Sequence, residues 1–201
     1  MKARYALALV FSLSANNTLA SEPPDWSLDV HMVETGETET ITYGLGGDLS
    51  EASLVTLNRL LLGKTVSTSI GYIDIETIQF LYAVKEKVRE KTSIKDPQIH
   101  IISSYRSAEY NEERRTDDTL SFAPYIAKDS QHIQGKAIDF YIPGVSSEEL
   151  RDIAWCLQKG GVGHYPTLVE EYDLPYIHID TGRIRFWGSD FNFNTIDCET
   201  S

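Results

Sequence analysis

A histidine and an aspartate stand seven residues apart in the segment Ser130-Gln131-His132-Ile133-Gln134-Gly135-Lys136-Ala137-Ile138-Asp139. An imidazole offers a metal ion a neutral nitrogen and a carboxylate offers an oxygen, while Gly135 allows a sharp turn between them. Taken alone, the pair reads as a surface loop followed by a strand-end carboxylate. A second segment, Tyr176-Ile177-His178-Ile179-Asp180-Thr181-Gly182, alters that reading. Strand alternation places Tyr176, His178 and Asp180 on one face and Ile177 and Ile179 on the other. Ionisable groups turned inward need partners or a metal. With His132, Asp139 and His178 as three ligands, zinc would keep one position open for a water, as hydrolytic sites require. The plainer alternative is a His–Asp pair stabilising an edge strand.

Those side chains need strands and turns to aim them. Ala137 to Ile142 is an apolar run in which Ile138 and Phe140 face one way and Asp139 the other. Gln98 to Ile102, after Pro97, reads as a strand leading into Ser103-Ser104-Tyr105-Arg106-Ser107. Tyr176 to Asp180 is the last expected strand. Near the start, Leu28, Val30 and Met32 alternate with polar residues, Thr35-Gly36 offers a turn, and Thr38 to Tyr43 is rich in β-formers, which predicts a hairpin. A break at Gly44 to Gly47 precedes a helix carrying Leu54, Leu57 and Leu61. Ile78, Leu81, Val84 and Val88 recur at helical spacing among charged residues. Ser146 and Glu149 form a capping-box pair before Leu150, Ile153, Ala154 and Leu157, with Gly160-Gly161 as the stop. Glu112 to Ala127 reads as a polar loop. Helices come mostly first and strands cluster later, which favours α+β over a wound parallel sheet. His31 and His100 fall on predicted strands away from the motifs and read as structural or exposed. Trp187 reads as a packing anchor or a cleft wall.

Lys2 and Arg4 precede the apolar stretch Tyr5 to Ser14 and a small-residue end at Thr18-Leu19-Ala20. This predicts an export leader over residues 1–20, a linker over 21–27 and one domain over 28–201, with an uncleaved anchor as the rival for the leader. No later segment approaches the roughly 20 apolar residues of a membrane span, so no membrane insertion is expected after leader cleavage. The 201 residues include 30 acids against 18 bases, a net charge of −12. That balance disfavours nucleic acid or an anionic membrane surface as the main partner. The two cysteines, Cys156 and Cys198, can close a disulfide in an oxidising compartment, although Cys156 is equally readable as a small core residue.

The pattern His132-x-x-Gly135-x-Ala137-x-Asp139, preceded by Ser130, resembles the first metal-binding motif of the D-Ala-D-Ala metallopeptidase group. Three further stretches make the order similar to that of the YcbK-like murein endopeptidases within this group. They are Ser104-Tyr105-Arg106-Ser107 with Asn111, Gly160-Gly161-Val162-Gly163 with Tyr165-Pro166, and His178 to Gly182 with Arg185 and Trp187. The likeness runs from about Leu28 to Trp187. It implies a small antiparallel sheet with helices packed around it, the D-Ala-D-Ala metallopeptidase/hedgehog-like form of α+β. It also implies Zn(2+) on His132, Asp139 and His178, and Arg106 at the scissile carbonyl oxygen as charge develops there. Ser130, Tyr105, His164 and Tyr165 would line the substrate. The implied enzyme is a periplasmic or secreted peptidase acting on the peptide stems of peptidoglycan.

The general base does not carry over. Many relatives hold Glu or Asp three residues before the last histidine ligand, where this chain has Pro175. Asp180 is the first candidate by strand alternation, with orientation of a ligand as its alternative role. Asp173, Glu171 and His164 follow. These departures keep two other readings open: a peptidoglycan-binding module without turnover, and a zinc carboxypeptidase or dipeptidase on wall-derived peptides.

Overall fold

A computed structural model describes residues 26–43, 51–61, 73–120, 123, 126–166, 174–188, 196 and 198. The expected leader, most of the linker, the Gly44 to Gly47 break, the Leu54 side chain, Glu171 and Asp173 lie outside the described residues. The elements run β1 (Trp26–Met32), β2 (Thr38–Tyr43), α1 (Glu51–Leu61), α2 (Ile75–Lys91), β3 (Ile99–Ser103), α3 (Ala108–Thr116), a 3-10 turn (Gln131–Gln134), β4 (Ala137–Tyr141), α4 (Ser147–Cys156), β5 (Gly161–Tyr165), β6 (Tyr176–Asp180) and β7 (Arg185–Gly188).

The strands form one sheet in the order β2-β1-β3-β4-β6-β5-β7. Its size and mixed character correct the expectation of a small antiparallel sheet: there are seven strands, and β1/β3 and β5/β7 pair in parallel. The first parallel pair follows from topology, because the chain leaves β1 and returns to β3 only after α1 and α2, a crossover long enough for the purpose. The second arises because β7 passes beyond β5 and extends the sheet instead of pairing with β6.

One face of the sheet makes the core. Leu28, Val30, Ile99, Ile101, Ile138, Phe140, Ile177 and Ile179 are fully buried there. Against them pack Ile78, Leu81, Val84 and Val88 of α2, and Leu150, Ile153 and Ala154 of α4. The predicted amphipathic helix is thus α2, and Asp74 caps it by accepting from the Glu76 amide at 3.1 Å. Its one buried cation, Lys85, reaches past the apolar stripe to donate to the Ser27 carbonyl at 2.9 Å. In α4 the expected cap is present, with Ser146 Oγ accepting from the Glu149 amide at 3.1 Å.

The expected polar loop after β3 begins instead as α3. Only Asn111 of that helix is buried, so it leaves no apolar period to read. Its signals are local: Ser107 Oγ accepts from the Tyr110 amide at 3.1 Å, and Glu112 pairs with Arg115. Strand β5 is hidden for a different reason. Gly161 and Gly163 disfavour a strand by propensity, yet the sheet uses both as clearance. A Cβ on Gly161 would lie 2.6 Å from Arg185 Nη1 and from Asp180 Oδ2, and one on Gly163 would lie 2.6 Å from the Trp187 ring. A disulfide joins Cys156, at the end of α4, to Cys198.

Candidate active site

The 3-10 turn starts where Ser130 Oγ accepts from the His132 amide, at 3.3 Å, and ends at Gly135, whose φ of 67° is left-handed and suits a residue without Cβ. This turn sets His132 above the sheet face opposite the core. Antiparallel register then puts Asp139 of β4 beside His178 of β6 on that same face. The backbone amide of Arg106 donates to the His132 carbonyl at 3.2 Å, which ties the segment after β3 to the turn.

Three side chains converge. His178 Nδ1 is 2.7 Å from Asp139 Oδ1, His132 Nε2 is 3.2 Å from His178 Nδ1, and His132 Nε2 is 3.3 Å from Asp139 Oδ2. The outer partner of His132 identifies its tautomer. His132 Nδ1 faces the Ser104 carbonyl, an acceptor only, at 2.5 Å, so this nitrogen carries its proton outward, whereas His178 lies between two carboxylates, Nε2 3.1 Å from Asp180 Oδ2 and Nδ1 2.7 Å from Asp139 Oδ1. His132 Nε2 therefore turns its lone pair toward His178 Nδ1 and the Asp139 carboxylate. Such a set is repulsive unless a cation or a proton sits among its members. Two imidazole nitrogens and a carboxylate oxygen, each with its outer hydrogen bond in place, fit a divalent metal. Among the described residues, His132, Asp139 and His178 form a possible metal-holding group with ligand atoms all within 4.8 Å of one another.

Electrostatics fit the same description. Burial, with Arg106 next in weight, pushes the His132 pKa down to about 4, so this ring is a neutral donor. Burial also disfavours the charged form of His178, but hydrogen bonds to Asp139 and Asp180 outweigh it and raise the pKa. Burial alone would raise Asp139; the facing His132 and His178 hold it well below the usual carboxylate range. Arg106 Nη2 donates to Asp139 Oδ2 at 2.9 Å and its Nε donates to Ser103 Oγ at 2.9 Å, which pins the guanidinium at the rim of the cluster.

A sequence model of the family described as peptidoglycan L,D-endopeptidase MepK matches residues 20–187. The chain belongs to this peptidase family. It is 33% identical over 183 residues to the probable peptidoglycan L,D-endopeptidase MepK of Haemophilus influenzae, covering 90% of each chain. It is 29% identical over 155 residues to the peptidoglycan L,D-endopeptidase MepK of Escherichia coli K12, covering 67% of this chain and 79% of the relative. No solved structure matches the chain.

In this family member the other candidate residues separate by location. Tyr165 shares the ligand face, its hydroxyl accepting from Trp187 Nε1 at 2.9 Å, and burial followed by the nearby Asp139 raises its pKa. Tyr105 packs half-buried against the core, and Ser130 spends its hydroxyl on capping the His132 turn. His164 pairs in register with Ile177, so it points into the core face. There it meets Ser147 Oγ at 3.1 Å and Arg151 Nη1 at 3.4 Å, away from the ligands. Asp180 lies on the outer side of His178 with both oxygens engaged. Oδ1 accepts from the Gly182 amide at 2.8 Å and Arg185 Nη1 at 2.9 Å, and Oδ2 accepts from Arg185 Nη2 at 2.7 Å. Burial would raise its pKa, but hydrogen bonds from His178 and Arg185 hold it well below the usual range.

The sequence pattern included Arg185 and Trp187, but it gave Arg185 no role and left Trp187 between a packing anchor and a cleft wall. Trp187 stands edge-on to His178 with ring centroids 4.9 Å apart, and the Arg185 guanidinium lies over the Trp187 ring at 4.7 Å. His178, Asp180, Arg185 and Trp187 thus close a loop of contacts around the β6–β7 bend. Alternation of Arg185 and Trp187 in a short strand was the available signal.

Proposed function

We propose that this chain is an exported zinc endopeptidase that hydrolyses peptide cross-links of peptidoglycan, of the L,D type named for its relatives. The observation that carries the reading is the inward convergence of His132 Nε2, His178 Nδ1 and Asp139, each fixed from outside, in a chain of this peptidase family. His132, Asp139 and His178 would hold the zinc ion. When bound, zinc supplies Lewis acidity to a carbonyl oxygen and lowers the pKa of a water toward about 7.

The chain's own residues supply orientation and charge. Arg106, braced by Asp139 and Ser103, presents a cation where negative charge would grow on the scissile carbonyl oxygen, which favours the transition state over the ground state. Ser104 and Asp180 keep the two histidines in the tautomers that ligation needs. Asp180 is better suited to that positioning role than to accepting a proton from a water near the ligands, because His178 stands between and Arg185 holds its oxygens. Ser130 and Gly135 shape the turn that delivers His132. Tyr165, hydrogen-bonded to Trp187, supports a substrate-facing role, while the inward turn of His164 supports a structural one.

Export completes the reading: the charged start and apolar run of residues 1–20 act as a leader, and the domain over 28–201 works in the periplasm or outside the cell. Among the described residues no helix is long and apolar enough to cross a membrane. Digestion of cross-linked muropeptides by the zinc-loaded chain, beside His132→Ala, tests the proposal. Cleavage products and stoichiometric zinc are expected only for the native chain. Equal zinc and equal activity in both would overturn the site.

A second reading, a wall-binding module without turnover, draws on Pro175 at the position of the missing acid and on the engaged state of Asp180. Zinc-dependent muropeptide binding with no product at any pH would select it.

A further inference from the structure

Beside the ligands, on the same sheet face, runs a second row of side chains. Register pairs Asp139 with His178, His178 with Gly163, and Gly163 with Trp187, which makes the ligand row. Two residues along the strands, register pairs His31 with His100, His100 with Tyr141, and Tyr165 with Tyr176. Tyr141 and Tyr176 take corresponding places one residue past the Phe140–Ile177 pair. Five rings, from β1, β3, β4, β6 and β5, therefore cross the sheet in a line. Strand geometry sets this line about 7 Å from the ligand row and makes it about 19 Å long.

The rings are half-buried and locked. Ring centroids are 4.6 Å apart for His31 and His100, 4.9 Å for His100 and Tyr141, and 4.7 Å for the stacked Tyr165 and Tyr176. His100 spends Nε2 on Gln98 Oε1 at 2.8 Å and Nδ1 on Tyr141 Oη at 2.9 Å. His31 Nδ1 lies 2.9 Å from Thr38 Oγ1. With both nitrogens engaged, His100 is neither a metal ligand nor a proton carrier. Burial, then the nearby His31, lowers its pKa, which keeps it neutral at pH 7. None of the five positions is an acid, a lysine or an arginine. The nearest acids on the same sheet face are Asp29, whose carboxylate accepts from Thr40 Oγ1 at 2.6 Å, and Asp139, two residues from Tyr141 along β4.

We propose that this row is the glycan subsite of the cleft, the floor on which the neutral N-acetylated amino-sugar strand lies while its attached peptide is cut. The assignment rests on the peptidoglycan reading above. Carboxylates of a stem peptide call for cations, and the row offers none. Neutral rings bearing hydroxyl groups and ring N–H edges suit a neutral ligand that mixes hydroxyls and amides with apolar C–H patches. Rings already held in place lose little freedom on binding. The row is joined to the metal centre at two points: Tyr141 is two residues from Asp139 on β4, and Tyr165 is bonded to Trp187, which touches His178. Tyr141 also forms a wall of an open groove with Pro166, Leu174 and Pro175. A stem of three residues spans about 10 Å when extended, enough to link a sugar on the row to an amide at the ligands.

The test uses the full zinc-loaded chain with two substrates, a cross-linked muropeptide dimer carrying its disaccharides and the same peptide dimer without sugar. The native chain should prefer the glycan-bearing dimer by about tenfold in kcat/KM, expressed in KM. Tyr141→Ala and His100→Ala should each bring that ratio toward one. A peptide-free N-acetylglucosamine oligomer should bind the native chain and shift its tyrosine and histidine resonances, a readout that needs neither turnover nor a variant. The proposal is overturned if the native chain treats both dimers alike and leaves the oligomer unbound. It is also overturned if the variants lose both dimers equally, which would assign the row to peptide. Failure to cleave either dimer would instead strike the peptidase reading, while oligomer binding would still decide the row.

Discussion

Arg185 grips both carboxylate oxygens of Asp180, at 2.9 and 2.7 Å, and one of those oxygens receives His178 Nε2 at 3.1 Å. Strand β7 thereby fixes the orientation of His178, a candidate metal ligand, through an intermediate carboxylate. The Asp180 side chain is fully buried, so leaving its charge without the guanidinium would be costly.

Arg185→Ala should therefore weaken zinc binding by about 10- to 100-fold, the usual cost of removing an outer partner of a ligand. Competition against a chelating indicator measures it. Arg185→Lys should fall between, since a point charge cannot reproduce the two-pronged contact. Unchanged affinity in both variants would sever β7 from the metal centre.

Asp180→Asn separates positioning from proton transfer. If Asp180 orients His178, the variant should bind zinc more weakly, by about tenfold or more, and recover most of its turnover when zinc is supplied in excess. A loss of turnover beyond about 100-fold with zinc fully bound would restore Asp180 as a general base.

Proton release should accompany zinc binding. The raised pKa of His178 means that its proton adds stability to the metal-free fold below the ordinary value of 6.5, and that this contribution fades as pH climbs through the folded value. Zinc needs the lone pair, so its affinity should rise with pH over the same window. His132, pushed down to about 4, should add nothing to the release near neutrality. Calorimetry in buffers of different ionisation heat should find net proton release on zinc binding at pH 6.5. A value of zero would contradict the assignment.

Gly163→Ala should destabilise the fold by about 1–3 kcal/mol, because overpacking beside an ordered ring forces a shift. The added Cβ would stand 2.6 Å from Trp187, which rests against His178. Denaturant unfolding reads the stability, and zinc affinity should fall alongside it.

Reducing the Cys156–Cys198 bridge, which closes a separation of 42 residues, should cost about 2–4 kcal/mol by restoring freedom to the unfolded chain. Thermal unfolding with and without reductant measures it.

How much was legible depended on how local each signal is. The convergence of the candidate triad was readable because each member sits in a short stretch whose own pattern aims it: Gly135 turns the chain after His132, and alternation separates Asp139 and His178 from their isoleucine and phenylalanine neighbours. The α2 stripe and the Ser146 cap were readable for the same reason, since helical period and capping are set within a few residues. Helix α3 escaped because it buries little, and β5 escaped because its glycines matter only once Arg185 and Trp187 lie across them.

The amino-acid sequence by itself determined the donor types, their strand faces and the family resemblance. Tertiary structure alone decided which neighbour each donor meets. His164 and Tyr165 are adjacent in sequence, yet one enters the core against α4 and the other joins the ligand face. Asp180 was readable as a carboxylate on the face of His178, but whether it was free to take a proton turned on Arg185 arriving from β7. The row from His31 to Tyr165 likewise draws on five strands scattered along the chain. Only register brings such residues together, because hydrogen bonding between strands fixes distances that spacing along the chain leaves open.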